Sequence, residues 1–476
     1  MKNKSKYLIK NVVLFSLSSF LPKVFAFVLV PIYTSCLSTE EFGLVDLVST
    51  TTNLLLPIFS LDIHDAVLRF IMDSKYKKNE VLTITLFVNF FGFIILSLLM
   101  SIVYYTRLTN MPSYFFIYSC ILFIFNTLQN SFIMYSKGIE KVKNIVVSST
   151  LLSITTIILN ILFLTVIKMG VHGYLLSILI GYFVSIIYII ISTKLYKEIK
   201  INYINKKLMK EMVKYSIPLI FSVVAWWINN ASDRYIITWM IGVSASGIYA
   251  MSYKIPNIIS IFYGIFSQAW SISAIKEFNK EDYDGFIGNI YMILNTLLCL
   301  LCSFIIISNI FVSKLLFKGE FFSAWQSIPI LIYAILFYSN AMFLGNIFVA
   351  VKDTKFISIS TIIGAIVNTI LNIVLIYVFG IIGAAIATLI GYFTIYLLRS
   401  IFIKKYIILR CNYKQLIFSY LLLLIQTVLA LYGNKYIVIQ IALFLTIIIL
   451  YKNYIAKIFT KIISSIKNKL KTEKEM

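Results

Sequence analysis

Charged side chains are scarce in this chain, and acidic ones are the scarcest. Asp and Glu number 19 among 476 residues, against 42 Lys and Arg, and all charged residues together make up 13% of the sequence. Soluble domains are about one-quarter charged. Hydrophobic residues make up 60%, and the mean hydropathy is +0.92. This composition excludes a soluble globular protein and predicts an integral membrane protein.

Sequence motifs for catalysis and for metal binding are also missing. The chain has no P-loop, no nucleophile elbow and no His-Glu-x-x-His segment, so nothing in it indicates ATP hydrolysis. Among its five cysteines, Cys299 and Cys302 form a C-x-x-C pair. Their neighbours are apolar and no second ligand pair follows, so metal or redox chemistry is not expected. We predict a protein that is not an enzyme, with no catalytic residue, no metal site and no resident cofactor.

Long apolar segments take up most of the chain. Each is about 20 residues long, which is the length of helix that crosses about 30 Å of hydrocarbon. We count fourteen such segments, near residues 8–32, 43–63, 81–105, 112–135, 145–167, 171–192, 215–241, 243–270, 286–312, 327–350, 356–379, 381–403, 415–432 and 435–451.

The positions of Lys and Arg assign the loops to two sides of the membrane. If the N-terminus is cytoplasmic, the positive-inside rule expects these residues in every second loop and in both termini. The exceptions are three residues inside spans and five in outer loops, namely Arg107, Lys168, Lys314, Lys318 and Lys435. The net charge of +23 therefore reflects topology, and we expect no nucleic-acid partner. Both termini are predicted to be cytoplasmic.

An internal repeat relates the two halves of the chain. Residues 158–183 contain Ile-Leu-Asn-Ile, two separate glycines and Gly-Tyr-Phe, and residues 370–393 repeat this order. Each half holds six spans, so the two copies have the same orientation in the membrane. We therefore predict an all-α membrane protein of about 14 transmembrane helices, with two six-helix bundles related by a pseudo-two-fold axis along the membrane normal. The predicted domains are an N-terminal lobe (1–200), a C-terminal lobe (201–405), and two extra transmembrane helices with a basic cytoplasmic tail (406–476).

The clear cases of charged side chains inside the predicted spans are Lys23, Asp233, Arg234 and Lys254. Each charge at the centre of a membrane helix costs about 2.5–3.5 kcal/mol on insertion scales. These groups are therefore expected to face a wet cavity or one another. Because three are cations, the cavity is expected to be net positive and suited to an anion such as a phosphate or a diphosphate.

A polar face runs along the seventh span. Trp226, Asn230, Asp233 and Arg234 fall on one side of a helix that turns about 100° per residue. We interpret Trp226 and Asn230 as contacts for sugar, by stacking and hydrogen bonding. Two other interpretations remain open, since Asp233 would serve equally as the structural partner of a nearby lysine, and Arg234 lies close enough to the outer headgroups to snorkel.

Two further features lie outside this face. Lys254 precedes Pro256 in the eighth span, where a kink is expected. At the cytoplasmic end of the second span, Asp65 and Arg69 fall in a small charged cluster with Asp62 and His64. We interpret Asp65 and Arg69 as a cytoplasmic gate; the alternative is a solvated helix end.

Parts of both halves resemble a known family. Leu21-Pro22, Leu-Ser-Thr-Glu-Glu-Phe-Gly-Leu at 37–44 and Ala-Val-Leu-Arg-Phe at 66–70 resemble the opening of bacterial polysaccharide repeat-unit flippases. These are the Wzx-type oligosaccharidyl-lipid flippases of the multidrug/oligosaccharidyl-lipid/polysaccharide exporter superfamily. Tyr-Ser-Ile-Pro at 215–218 and Ser-Asp-Arg-Tyr at 232–235 resemble the opening of that family's second half.

The resemblance implies a substrate, a location and partners. The substrate would be a polyprenyl-diphosphate-linked oligosaccharide, moved by alternating access from the inner to the outer leaflet of the bacterial cytoplasmic membrane for O-antigen or capsule synthesis. Membrane lipids and a glycan polymerase or another polysaccharide-assembly protein would be its partners. Coupling to H⁺ or Na⁺ stays open.

Three alternatives are weighed against this interpretation. A lipid II flippase typically carries arginines on its first helices, where this chain has only Lys23. A multidrug cation antiporter needs buried carboxylates, whereas the first span here has no Asp or Glu and Asp233 is outnumbered by cations. A membrane-embedded glycan polymerase or ligase would carry catalytic charges in a large outer loop, and the longest outer loop expected here, near 313–326, is short.

Overall fold

The computed structural model describes residues 27–198, 204–276, 282, 285–351, 353–457 and 460. Within these ranges the chain forms helices and no strand. The α-helices are α1 (Val30–Cys36), α2 (Thr39–Phe59), α3 (Ile63–Ile71), α4 (Lys78–Tyr105), α5 (Ser113–Gly138), α6 (Val142–Ile161), α7 (Gly170–Thr193), α8 (Lys206–Met240), α9 (Val243–Ser252), α10 (Asn257–Lys276), α11 (Phe286–Leu316), α12 (Ile328–Ala350), α13 (Thr354–Phe379), α14 (Ile381–Phe402), α15 (Tyr413–Ala430) and α16 (Ile437–Leu450).

Twelve helices in the described part of the chain are long and apolar enough to cross a membrane. They match twelve of the fourteen spans expected from the sequence. The first expected span, near 8–32, lies mostly outside the described residues. The eighth is divided into α9 and α10 by a turn at Tyr253–Pro256, which confirms the break expected at Pro256. The all-α membrane fold is therefore confirmed.

The chain divides into two compact units. Unit 1 contains the described residues up to Ala250 together with Leu316–Phe321, and unit 2 contains Met251–Leu315 and the described residues from Phe322 onward. These units follow spatial packing, whereas the division at 200 and 405 follows the sequence repeat. The repeat-based domain boundaries therefore stay a prediction.

The core of unit 1 explains why α3 presents a polar face. Its apolar residues recur at the spacing i, i+3, i+4, i+7 and i+8, which places them on one side of a helix. That side is buried against α4, α5, α7 and α8. The opposite side carries the polar residues of the helix. The buried residues are Ile63, Ala66, Val67, Phe70 and Ile71, and the polar ones are His64, Asp65 and Arg69.

Unit 2 is built around α12. This helix is apolar on all sides and nearly all of its residues are buried, as expected for a helix surrounded by others. Helices α10, α14 and α15 pack against it, and α14 pairs with α13 as a hairpin. By contrast, α16 leaves large side chains such as Val438 and Ile449 exposed, which suits a lipid-facing helix.

The sequence repeat corresponds to two similar hairpins, α6–α7 in unit 1 and α13–α14 in unit 2. Asn160 and Asn372 are both fully buried, and each donates its side-chain amide to the carbonyl four residues earlier, at 2.9 and 3.0 Å. Gly181 and Gly391 lie within the second helix of each hairpin, where it contacts the first. A Cβ at either would collide with that first helix. The repeated residues thus make the same contacts in both hairpins.

Candidate functional site

Unit 1 encloses a polar cavity of about 590 Å³. Its walls come from α2 and the turn after it, from α3, from α5 and from α8. Most of the lining side chains carry amide, hydroxyl, carboxylate or indole groups. The lining residues are Asp46, Ser49, Thr50, Asn53, Leu56, Pro57, Asp62, His64, Asp65, Asn126, Asn130, Val223, Trp226, Trp227, Asn230, Ala231 and Arg234.

Helix α8 supplies the wall that the sequence singles out. The side chain of Asn205 caps the helix by accepting hydrogen bonds from the Lys207 and Leu208 amides at 3.1 and 3.2 Å, a favourable helix start. Further along, Trp226 and Asn230 reach the cavity one turn apart. The structure therefore brings both proposed sugar contacts into one cavity. Their roles stay predictions.

Trp227 is fixed against α2. Its indole Nε1 donates a hydrogen bond to the Thr50 carbonyl at 2.9 Å. Its ring lies 5.5 Å from that of Tyr235, whose hydroxyl is hydrogen-bonded to Thr51. These contacts join α8 to α2. The neighbouring Trp226 is half-buried, and both tryptophans line the cavity.

Arg234 forms an ion pair with Asp46 on α2. Its Nε lies 2.6 Å from Oδ2 of Asp46, and its Nη1 donates to the Asn230 carbonyl at 2.8 Å. These contacts hold the guanidinium inside unit 1, with 13% of the side chain exposed. Sequence reasoning overlooked Asp46, although a carboxylate inside the expected span 43–63 was a signal.

Asp233 does not line the cavity. It is 1% exposed, and its Oδ2 accepts a hydrogen bond of 2.6 Å from the hydroxyl of Tyr249 on α9. Its Oδ1 is 3.9 Å from Nη1 of Arg234. The structure thus places Asp233 as a link between α8 and α9.

A second charged group lies where α2 ends and α3 begins. Asp62 is 1% exposed, and its Oδ1 lies 3.4 Å from Nε2 of His64. Burial raises the pKa of Asp62, the charge of His64 opposes this rise, and Asp65 adds to it. Asp65 also lines the cavity. Arg69, its proposed partner in a gate, is exposed on α3 and lies outside the lining.

The charge of this cavity differs from the cation excess that was expected. Its described lining contains three aspartates, at positions 46, 62 and 65, with Arg234 and His64. Lys254 lies half-buried in the Tyr253–Pro256 turn of unit 2, and Lys23 falls outside the described residues. The sequence count included only charges deep within spans, so it left out the aspartates at helix ends.

The Glu40-Glu41 end of α2 is tightly packed within unit 1. Thr39 donates its hydroxyl to Oε2 of Glu320 at 2.8 Å and is also hydrogen-bonded to Ser244 at 2.8 Å. Gly43 and Gly247 allow α2 and α9 to meet backbone to backbone, since a Cβ at either would collide with the facing main chain. The charged turn at Asp62 is at the other end of α2.

Unit 2 contains a buried cation that sequence reasoning missed. Arg399 on α14 is 1% exposed. Its guanidinium bonds are to neutral oxygens, and they join α14 to α12 and α13. The sequence pattern placed this residue with the charges of a cytoplasmic loop. Its acceptors are Ser360 Oγ (3.1 Å), the Ala341 carbonyl (2.7 Å), Thr361 Oγ1 (3.0 Å) and the Ile357 carbonyl (3.4 Å).

Comparison with solved structures shows which known fold the chain has. The chain is similar to the lipid II flippase MurJ in an inward closed conformation, with a TM-score of 0.64, 18% identity, and coverage of 95% of this chain and 100% of that one. It is also similar to an inward-facing multidrug resistance MATE family transporter of the MOP superfamily, with a TM-score of 0.64, 14% identity, and coverage of 82% and 97%. At these identities the likeness establishes the fold, which is that of MOP-superfamily membrane transporters.

Sequence comparison then gives the family. An uncharacterized membrane protein of Methanocaldococcus jannaschii is 27% identical over 295 residues, which cover 57% of this chain and 68% of that protein. Residues 8–272 match the family described as polysaccharide biosynthesis proteins, and the chain belongs to this family. Family and fold together confirm the resemblance found in the sequence: the chain is a multi-pass membrane protein of the polysaccharide biosynthesis family, with the fold of MOP-superfamily transporters.

Proposed function

We propose that the protein moves a polyprenyl-diphosphate-linked oligosaccharide repeat unit from the inner to the outer leaflet of the bacterial cytoplasmic membrane, by alternating access, for O-antigen or capsule synthesis. The observation that carries this proposal is the composition of the cavity in unit 1. Ligand sites combine apolar or aromatic walls with a few well-placed polar groups. Here an indole and several amides surround an arginine whose charge is neutralised by Asp46.

The cavity chemistry suits the sugar part of such a substrate. Sugar rings stack through their C–H faces on aromatic rings, and Trp226 offers one. Sugar hydroxyls both donate and accept, as side-chain amides do, and the cavity presents the amides of Asn53, Asn126, Asn130 and Asn230. Three aspartates would repel a diphosphate, so the glycan is the part of the substrate that this cavity favours.

The diphosphate needs cations elsewhere in the chain. Lys23, Arg234 and Lys254 are our proposed diphosphate contacts. Because Arg234 is paired with Asp46 at 2.6 Å, the proposal rests more heavily on the two lysines. Asp65 and Arg69 remain our proposal for a cytoplasmic gate, with both termini cytoplasmic. A glycan polymerase or another polysaccharide-assembly protein is the proposed partner.

A second candidate function is cation-coupled multidrug export. The three cavity aspartates favour it, because cationic drugs are bound by buried carboxylates. Lipid II flipping, the activity after which MurJ is named, is a third candidate with the same fold. Substrate assays separate the three.

The test is complementation of surface-glycan export in a strain that lacks its own repeat-unit flippase. Trp226→Ala and Asn230→Ala are expected to lower export at least about tenfold at equal membrane expression, since they remove stacking and hydrogen bonding. Trp239→Ala is the matched control, because this tryptophan is on the same helix, 78% exposed and outside the cavity. Loss of dye efflux with unchanged glycan export would contradict the proposal in favour of drug export.

A further inference from the structure

The turn between α2 and α3 brings a buried carboxylate to the cavity wall. Asp62 is 1% exposed and lines the cavity. Its Oδ2 receives no hydrogen bond from any residue that the structure describes, and Nδ1 of His64 is in the same situation. A buried polar atom without a partner costs about 1–3 kcal/mol, and more when it is charged. Binding of a ligand, an ion or a proton by this pair would lower this cost.

The two atoms limit what can bind to them. Both have essentially no accessible surface, so a sugar hydroxyl or an ammonium group has no access to them. A metal ion is disfavoured as well, because no three His, Cys, Asp or Glu side chains in the described ranges come together as a metal site. A proton meets both limits, since it needs no space beyond the atom that binds it. Bound at Oδ1, it neutralises the carboxyl, so that the partnerless Oδ2 is an uncharged oxygen, which costs less than a charged one.

We propose that Asp62 and His64 form a proton-binding site in the wall of this cavity. Asp62 is the buried acceptor. His64, whose side chain is 15% exposed, exchanges protons with the cavity. In the exchange, a proton moves from Nε2 of the imidazolium to Oδ1 of the carboxylate across the 3.4 Å contact. This leaves a neutral imidazole and a neutral carboxylic acid, and no other bond changes.

The surroundings of Asp62 favour the protonated form. Burial is the main cause that raises the pKa of this carboxyl, His64 opposes the rise, and Asp65 adds to it. Across the cavity, Asp46 on α2 and Arg234 on α8 neutralise each other at 2.6 Å. Helix α5 contributes two asparagine amides to the lining, and α4, which also packs against α3, contributes nothing to it. No strong cation thus faces Asp62 within the described lining.

Proton binding here is linked to the contents of the cavity. Losing the charge on Asp62 makes the cavity less negative by one unit. Any ligand that prefers one charge state must change the proton affinity of Asp62, and the proton must change the affinity for that ligand by the same factor. The proton site itself does not depend on the ligand being a glycan.

The test compares the pH dependence of stability in the purified full-length protein in detergent with that of Asp62→Asn. A carboxyl whose pKa is raised in the folded state holds its proton where the unfolded chain has lost it, so stability falls as the pH rises above the ordinary value of 3.8. The variant lacks this component. The apparent Tm of Asp62→Asn minus that of wild type is expected to increase progressively as the pH rises. Asp73→Asn, at a carboxyl outside the lining that accepts the Lys75 amide, is expected to track wild type.

A second variant keeps the proposal testable if Asp62→Asn does not fold. Tryptophans 226 and 227 line the same cavity, so their fluorescence reports its protonation. His64→Gln removes the charge that lowers the pKa of Asp62, and the midpoint of the fluorescence change is expected to move to higher pH. An unshifted midpoint, or equal pH profiles for wild type and Asp62→Asn, would overturn the proposal. So would a profile of Asp73→Asn that equals that of Asp62→Asn.

Discussion

Arg234 and Arg399 both lie inside candidate membrane spans, yet their surroundings differ. Arg234 in unit 1 borders a cavity and pairs with the carboxylate of Asp46. Arg399 in unit 2 is 1% exposed, and its hydrogen bonds end on hydroxyls and main-chain carbonyls of α12 and α13. The first arginine is at the wall of a cavity, and the second holds helices together.

The difference shows that a membrane-embedded charge alone does not identify a binding site. Intramembrane charges are often functional, but Arg399 satisfies its donors within unit 2. Gly345 on α12 makes room for it, since a Cβ there would lie 2.9 Å from Nη1 of Arg399. Burial of a cation within a span is therefore not sufficient evidence for a binding site, and the position of the cation beside a cavity has to be considered as well.

Removing Arg399 is expected to have the largest effect. Arg399→Met keeps much of the volume but removes the donor of four hydrogen bonds that join α14 to α12 and α13, at a cost of at least about 3 kcal/mol. We expect most of the folded protein to be lost, measured as monodisperse protein after detergent extraction. Lys404→Met, an exposed cation just after α14, is the control. A normal yield of Arg399→Met with intact transport would contradict the conclusion that Arg399 holds the helices of unit 2 together.

The arginine at the cavity is expected to affect transport more than folding. Arg234→Ala leaves Asp46 without its cation at the ligand cavity, and Lys23→Ala removes a proposed diphosphate contact. Both are expected to abolish surface-glycan export while membrane expression stays intact, measured by export relative to protein level. Arg107→Ala, at an exposed position after α4, is the control. Normal export in both single variants would contradict the charged-cavity proposal.

The sequence predicted the helices and their polar faces better than it predicted the contacts between side chains on different helices. The lengths of the apolar segments predicted twelve spans that the structure contains. Pro256 predicted the break between α9 and α10, and helical periodicity placed Trp226 and Asn230 on one face. Periodicity says nothing about which distant helix lies opposite a face. It therefore missed the pairing of Arg234 with Asp46, the contact of Asp233 with Tyr249, and the burial of Arg399, since each depends on how separate helices pack.

The smallest effect is expected at Trp227, which lines the same cavity as Arg234. A variant at this position distinguishes a residue that supports the cavity wall from one that contacts the ligand. Trp227→Phe keeps an aromatic ring but removes the indole N–H that donates to the Thr50 carbonyl, so one hydrogen bond between α8 and α2 is lost, at a cost of about 1 kcal/mol. The apparent Tm is expected to fall by a few degrees with export nearly unchanged, whereas Trp239→Phe on the exposed side of α8 is expected to change neither. If Trp227→Phe lost export as fully as Trp226→Ala, Trp227 would have to contact the ligand as well as support the cavity wall.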